Sequence, residues 1–235
     1  SQSEFGDILV TSALYESLSD GWQVLHFSIP FKSPGVSTLN NWQALGMRGT
    51  GSQSVKLENV FIPDSGIILR RPRGKFHPVW NIILTVAMPL IMSVYLGIAQ
   101  KAARIAIDYS RSQKQNRPYI PELIGEMQNE LTNAELNVKD MIRIANDFDF
   151  KPIDINGQEI LMRKTNAAKA SIKVVEKAME IVGGKGFYRS FGLEKLFRDV
   201  QAAKYHPLQE KEQLQFTGEY ILRIGSEQIA AELAA

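Results

Sequence analysis

Glu180-Ile181-Val182-Gly183-Gly184-Lys185-Gly186-Phe187, followed by Glu194-Lys195-Leu196-Phe197-Arg198-Asp199, is the stretch on which the fold of this 235-residue chain turns. Upstream of it Leu161, Ala168, Ile172, Val175, Met179 and Val182 recur at helical spacing, which predicts a helix from about Gly157 to Val182 with one apolar face. Gly183 and Gly184 end it, because residues without a Cβ adopt the conformations that close a helix at little cost. Beyond the glycines a short helix is expected from Leu193 to Lys204. A last helix is expected to start near Pro207, whose fixed φ suits a first turn, and to reach about Leu222 or beyond.

Toward the amino terminus the same period continues. Leu123, Ile124, Met127, Leu131, Ala134, Val138, Met141, Ile142 and Ala145 share one face of a helix predicted over about Pro121 to Asn146. A further helix is expected from about Pro78 to Ser112. It contains Phe76 to Gln100, a run of 25 residues without Lys, Arg, Asp or Glu, long enough to cross a bilayer. Asn81, Thr85, Pro89, Ser93 and Gly97 recur along it every four residues, a stripe of small or polar positions on which neighbouring helices can pack. This favours the central helix of a soluble bundle over a membrane span.

Before Ile62 the period is two: Leu25, Phe27 and Ile29 alternate with Val24, His26 and Ser28, and Val55 and Leu57 with Lys56 and Glu58. Three or four short antiparallel strands are expected, separated by turn residues at Ser19-Asp20-Gly21, Lys32 to Gly35 and Gly46 to Ser52. The basic loop Arg70 to Lys75 marks the change of period. The fold class is therefore α+β, mainly α: a short antiparallel β segment over residues 1–70, then an antiparallel four-helix bundle over 76–235.

Composition excludes several functions. Twenty-seven basic and 25 acidic side chains are mixed throughout, so no basic face points to nucleic acid. Without cysteine there is no disulfide, thiolate metal site or thiol nucleophile, and the three histidines, His26, His77 and His206, have no carboxylate at ligand spacing, so no metal is expected. No phosphate-binding P-loop or Ser-His-Asp arrangement is present. Ser1 to Asp7 is polar and lacks the features of a signal peptide, which leaves the cytoplasm as the default compartment.

Two segments carry a family likeness. Asn41-Trp42-Gln43-Ala44-Leu45-Gly46-Met47-Arg48-Gly49-Thr50-Gly51-Ser52, running on to Val60-Phe61-Ile62-Pro63, resembles the closing strands of the acyl-CoA dehydrogenase middle β-domain. Glu180 to Phe187 with Glu194 to Asp199 resembles the helix end, glycine turn and Arg-Asp helix of that family's carboxyl-terminal bundle. The likeness covers essentially the whole chain but begins partway through the middle domain, without the family's amino-terminal helical domain and main flavin-contacting strands, so the site is expected to be incomplete in this chain.

The resemblance implies an FAD-dependent oxidation of a C–C bond beside a carbonyl, in an acyl-CoA or another small-molecule substrate, by a homodimer or homotetramer. It gives Gly183, Gly184 and Gly186 the role of approaching the FAD pyrophosphate, usually across a subunit interface. Glu180 stands where the family commonly has glutamine, and a carboxylate there is unfavourable unless it points away or pairs with Lys185. The loop Arg111 to Pro118 occupies the place of the family's Arg-Lys-Thr-Phe-Gly segment. Arg111 or Arg117 could take over its phosphate contact or could be solvated loop charges, and Arg48 reads as a turn residue.

The family's catalytic glutamate slot falls on Pro207, and the alternative carboxylate location falls near Ala87-Met88, so no base stands at either place. Three alternatives remain open. Glu210, about one helical turn beyond Pro207, could act as a shifted base. His206 could serve, since related flavin-dependent monooxygenases of the same fold have a histidine around this point, although it could equally be an ordinary residue at a helix start. The chain could instead be a non-catalytic flavin-binding or assembly module.

Overall fold

The computed structural model describes residues 2–113 and 117–223. The chain divides into two compact units, Ser1–His77 and Pro78–Ala235.

In the first unit, β1 (Ile8–Ser17), β2 (Gly21–Pro30) and β5 (Ile67–Pro72) form an antiparallel sheet in the order β1-β2-β5, while β3 (Val36–Thr38) pairs with β4 (Val55–Leu57). Four of these strands lie before Ile62, as expected, while β5 lies beyond it and takes up Arg70, Arg71 and Pro72 of the expected basic loop. The inward phase along β2 also differs from the simple alternation, because Val24 is buried together with Phe27 and Ile29. The register to β5 shifts between His26 and Phe27, with Ile68 as the extra residue on β5, while the β1–β2 ladder runs without interruption, so Val24 and Phe27 are buried on opposite faces of β2. Gly21 closes the β1–β2 turn at φ 67°. Arg48 donates from Nε to the Ala44 carbonyl at 2.9 Å, a turn role.

The second unit is helical: α1 (Val79–Ser112), α2 (Ile120–Ala145), α3 (Asp154–Val182), α4 (Leu193–Val200) and α5 (Glu210–Arg223). Helices α1, α2, α3 and α5 make the expected four-helix bundle, and α4 passes into a 3₁₀ segment over Gln201–Tyr205. Its core is built from Met88, Met92 and Ala99 of α1, Met127, Ala134 and Met141 of α2, and Ile160, Leu161, Val174 and Val175 of α3. Ile142, expected on the inner face of α2, is 52% exposed.

Helix α1 is long and apolar enough to cross a membrane, yet one side of it lies in this core. Of its small-residue stripe, Asn81, Thr85 and Pro89 are buried while Ser93 and Gly97 are exposed. A four-residue repeat gains about 40° per step on a helix of 3.6 residues per turn, so the stripe rotates out of the interface. At its start Asn81 donates to Asp154 Oδ1 at 2.8 Å, and a Cβ on Gly157 would overlap Asn81 Oδ1, so the glycine permits the close approach of α3 to α1.

The last helix begins three residues later than the Pro207 start expected from the sequence. Its first backbone bond runs from the Gln213 amide to the Gln209 carbonyl at 2.8 Å. The carbonyls of His206 and Leu208 are turned instead toward the Lys164 ammonium, which withdraws them from helical bonding.

Candidate functional site

Three helical elements bring four polar groups together around residue 206. Tyr95 belongs to the buried stripe of α1 and is 2% exposed. His206 follows the 3₁₀ segment with extended backbone, and its Nε2 lies 2.7 Å from Tyr95 Oη. Lys164, also 2% exposed, reaches from α3 to the His206 carbonyl at 3.1 Å and to the Leu208 carbonyl. Asp199 of α4 is 7% exposed and accepts from Lys195 Nζ at 2.5 Å.

Burial, then the Lys164 charge, holds the His206 pKa below its ordinary value, so the ring is neutral near pH 7. Tyr95 is pushed up to about 12, first by burial and then by the Asp199 charge, so its phenol keeps its proton. A protonated phenol beside a neutral imidazole donates to Nε2 when the ring proton is on Nδ1, and accepts from Nε2–H in the other tautomer. The pair can hold and release one proton at a fixed position.

The sign of the Tyr95 effect gives a test. A phenol whose folded pKa is raised contributes stability that is complete below its ordinary value of 10 and is lost as the pH climbs through about 12. Denaturant midpoints of the protein should therefore fall across that window, and Tyr95→Phe should flatten the fall. Identical slopes for the two proteins would remove Tyr95 as its source.

Glu210 is placed differently from a base. It forms an ion pair with Lys169 at 2.9 Å, and that hydrogen bond, with the Lys169 charge, holds its carboxyl below the usual range. It lines a cleft of about 200 Å³ with Ala168, Ile172 and Ala203 rather than the Tyr95–His206 pair. Pro207 is exposed, and Met88, at the alternative carboxylate location, is a core residue.

The glycine turn forms a second group of residues. Gly183 has φ 71° and ψ −152° and closes α3 through its amide to Met179, and Gly184 faces open space. Gly186 is buried against Val182, Met179 and Leu193, where any side chain would be crowded, so its role is close packing. An Arg117 Nη1 lies 3.9 Å from where a Cβ of Gly183 would be. Lys185 Nζ sits 5.3 Å from the centre of the Tyr109 ring and 5.6 Å from that of Phe191.

Arg111, in the last turn of α1, is exposed and has no polar contact with the turn among the described residues, and Lys114, Gln115 and Asn116 of the same loop lie outside them. Glu180 pairs with Lys177 at 3.0 Å, not with Lys185. Fourteen residues of α1 separate Tyr109 from Tyr95, about 21 Å at the rise of an α-helix, so the two groups are distinct.

Tyr95 and Lys164 were absent from the sequence-derived candidates. Lys164 did leave a trace there, since it occupies the apolar stripe between Leu161 and Ala168. Tyr95 had none, being one apolar-run residue among many.

Residues 81–205 match the family described as acyl-CoA dehydrogenase, C-terminal domain. Similar curated proteins include a 3-(aryl)acrylate reductase of Clostridium sporogenes (strain ATCC 15579), 30% identical over an alignment of 192 positions that covers 80% of this chain and 50% of the relative. A dibenzothiophene monooxygenase of Mycolicibacterium goodii is 26% identical over an alignment of 247 positions that covers 92% of this chain and 57% of that protein. The chain spans about half the length of the curated relatives it matches. Among solved structures, KijD3 in complex with FMN and a dTDP-linked amino keto sugar superposes with a TM-score of 0.85 at 21% identity, covering 96% of this chain and 57% of that one, which establishes likeness of fold. With more than half of its residues matched to the family pattern, the chain belongs to the acyl-CoA dehydrogenase family through its C-terminal domain.

Proposed function

We propose that the protein is a flavin-dependent monooxygenase built on the acyl-CoA dehydrogenase fold, with His206 as its proton-handling residue. The observation that carries this reading is the half-buried Tyr95–His206 hydrogen bond beside Pro207, a neutral proton donor and acceptor where the dehydrogenase reaction requires a carboxylate. The similarity to a dibenzothiophene monooxygenase over 92% of this chain supports it. A bound reduced flavin supplies the electrons with which dioxygen delivers one oxygen atom to the substrate and one to water. Tyr95 orients the imidazole, and the Nδ1 proton of His206 is the one available for transfer.

The cofactor reading is a flavin whose phosphate end meets the glycine turn. Gly184 leaves the turn open to approach, Arg117 and Lys185 supply positive charge, and Lys177 draws Glu180 aside, so the turn fits an anionic group. FAD, as the resemblance implies, presents two phosphates to such a turn; FMN, found with a structural neighbour, presents one. The distance from the turn to His206 supports a turn that serves the flavin of another copy, in a homodimer or homotetramer. The side chains of Leu90, Val94, Leu136 and Ile142, each more than half exposed, offer apolar area for such an assembly.

Acyl-thioester oxidation is the second reading, favoured by Glu210 at the rim of its apolar cleft. The two separate cleanly in the full-length protein. The monooxygenase reading expects oxygen-18 from labelled dioxygen in the product and no bleaching of the oxidised flavin by acyl thioesters without oxygen. Anaerobic bleaching by a thioester, with no label incorporated, would overturn it in favour of the dehydrogenase.

A further inference from the structure

Lys164 is a basic side chain only 2% exposed, and its position is costly by composition alone. An ammonium within an apolar helix stripe loses its hydration, a penalty tolerated only where hydrogen bonds replace the water. Both bonds that the structure provides go to one place, the carbonyls of His206 and Leu208 in the linker before α5, 42 and 44 positions away in the sequence. None goes to the turn of α3 that precedes it. The linker between the 3₁₀ segment and α5 is thereby tied to α3 on either side of Pro207, and the imidazole is presented to Tyr95 from a backbone held by a neighbouring helix.

We propose that Lys164 is the positioning residue of the Tyr95–His206 pair, its buried ammonium clamping the His206 and Leu208 carbonyls so that Nε2 stays on the Tyr95 hydroxyl. This rests on the monooxygenase reading only for its catalytic consequence; the clamp itself is a property of the folded chain. The geometry gives one cation two tasks. It fixes the direction of the ring, and its charge disfavours a second positive charge on the imidazole, keeping His206 in the neutral form that can carry a transferable proton. The charged groups acting on the pair are Lys164 from α3 and Asp199 from α4, with Glu210 and Glu212 from α5 through their attraction for Lys164. Lys164 is the cation that bonds directly to the His206 backbone.

The test is nuclear magnetic resonance of the full-length, flavin-free protein labelled with nitrogen-15 in its histidines, reading the two ring nitrogens of His206 against pH. The wild-type ring is expected as a single tautomer with the proton on Nδ1 and a titration midpoint below that of free histidine. In Lys164→Met the tautomer preference should be lost and the midpoint should move upward, while Lys164→Arg, which keeps charge and donors, should lie between the two. Circular dichroism confirms folding in each case. A lysine that merely supported the fold would change the melting temperature and leave the ring resonances alone, so an unchanged His206 spectrum in folded Lys164→Met overturns the clamp. If that variant fails to fold, the wild type decides: mixed tautomers with the midpoint of free histidine overturn the proposal without any substitution. Activity keeps the two ideas apart. Shifted ring resonances together with normal oxygenation in His206→Ala would retain the clamp and dismiss the catalytic reading.

Discussion

His206→Ala in the full-length protein should lower oxygenation turnover by about 10²–10⁴-fold, the range set by one positioned acid–base group. Flavin affinity and melting temperature should stay close to wild type, because the proposed phosphate donors lie at the far end of α1 and the ring is only partly buried. The pH profile carries a second signature. Since the His206 pKa lies below 6.5, the neutral ring persists into mildly acidic solution, and the rate should fall only as the pH drops through that lowered value. Tyr95→Phe should produce a smaller loss, with the imidazole still present but no longer oriented. Turnover of His206→Ala equal to wild type would end the assignment of His206 to the chemistry.

Lys164→Ala should destabilise the helical unit by about 2–5 kcal/mol, the sum of a buried cavity and two carbonyls left without a donor. Lys164→Met fills most of the volume and should cost less, about 1–3 kcal/mol, because only the hydrogen bonds are lost. The pH dependence distinguishes a buried ammonium from a packed alkyl chain. Burial, the largest influence on Lys164, lowers its pKa below 10.5, so the folded state gives up this proton before the unfolded state does. Stability should therefore rise as the pH climbs through the lowered value toward 10.5, and below pH 10 Tyr95 does not oppose the rise. A neutral amine keeps two N–H donors, enough for the two carbonyls. Denaturant midpoints of wild type and Lys164→Met, compared over alkaline pH, read the difference; parallel curves would show that the lysine is not buried as an ammonium.

Much of the fold was legible locally. The alternation from Ile8 onward, the change to helical spacing after Pro63 and the double glycine after Val182 each depend on neighbours within a few residues, and strands, helices and a helix stop followed at those places. Errors arose where contacts across the fold intervene. Val24, on the face of β2 opposite Phe27 and Ile29, is buried as well, and Pro207, expected near a helix start, lies in a linker because Lys164 holds the carbonyls on both sides of it. The four-residue stripe on α1 was real as a pattern but rotated away from its neighbours after Pro89.

The candidate site divides in the same way. By itself the sequence determined the family, the glycine turn after α3, and the absence of a carboxylate at Pro207, since all three are matters of residue identity at consecutive positions. Only the tertiary structure decided which groups act on His206. Tyr95 lies 111 positions from it and Lys164 42, and both meet it because the rotation of α1 and α3 within the bundle aims them at the same linker. Glu210, the carboxylate nearest in sequence, was drawn to Lys169 instead. A hydrogen bond acts over about 3 Å and carries no memory of chain separation, so partners fixed by packing leave little trace in spacing.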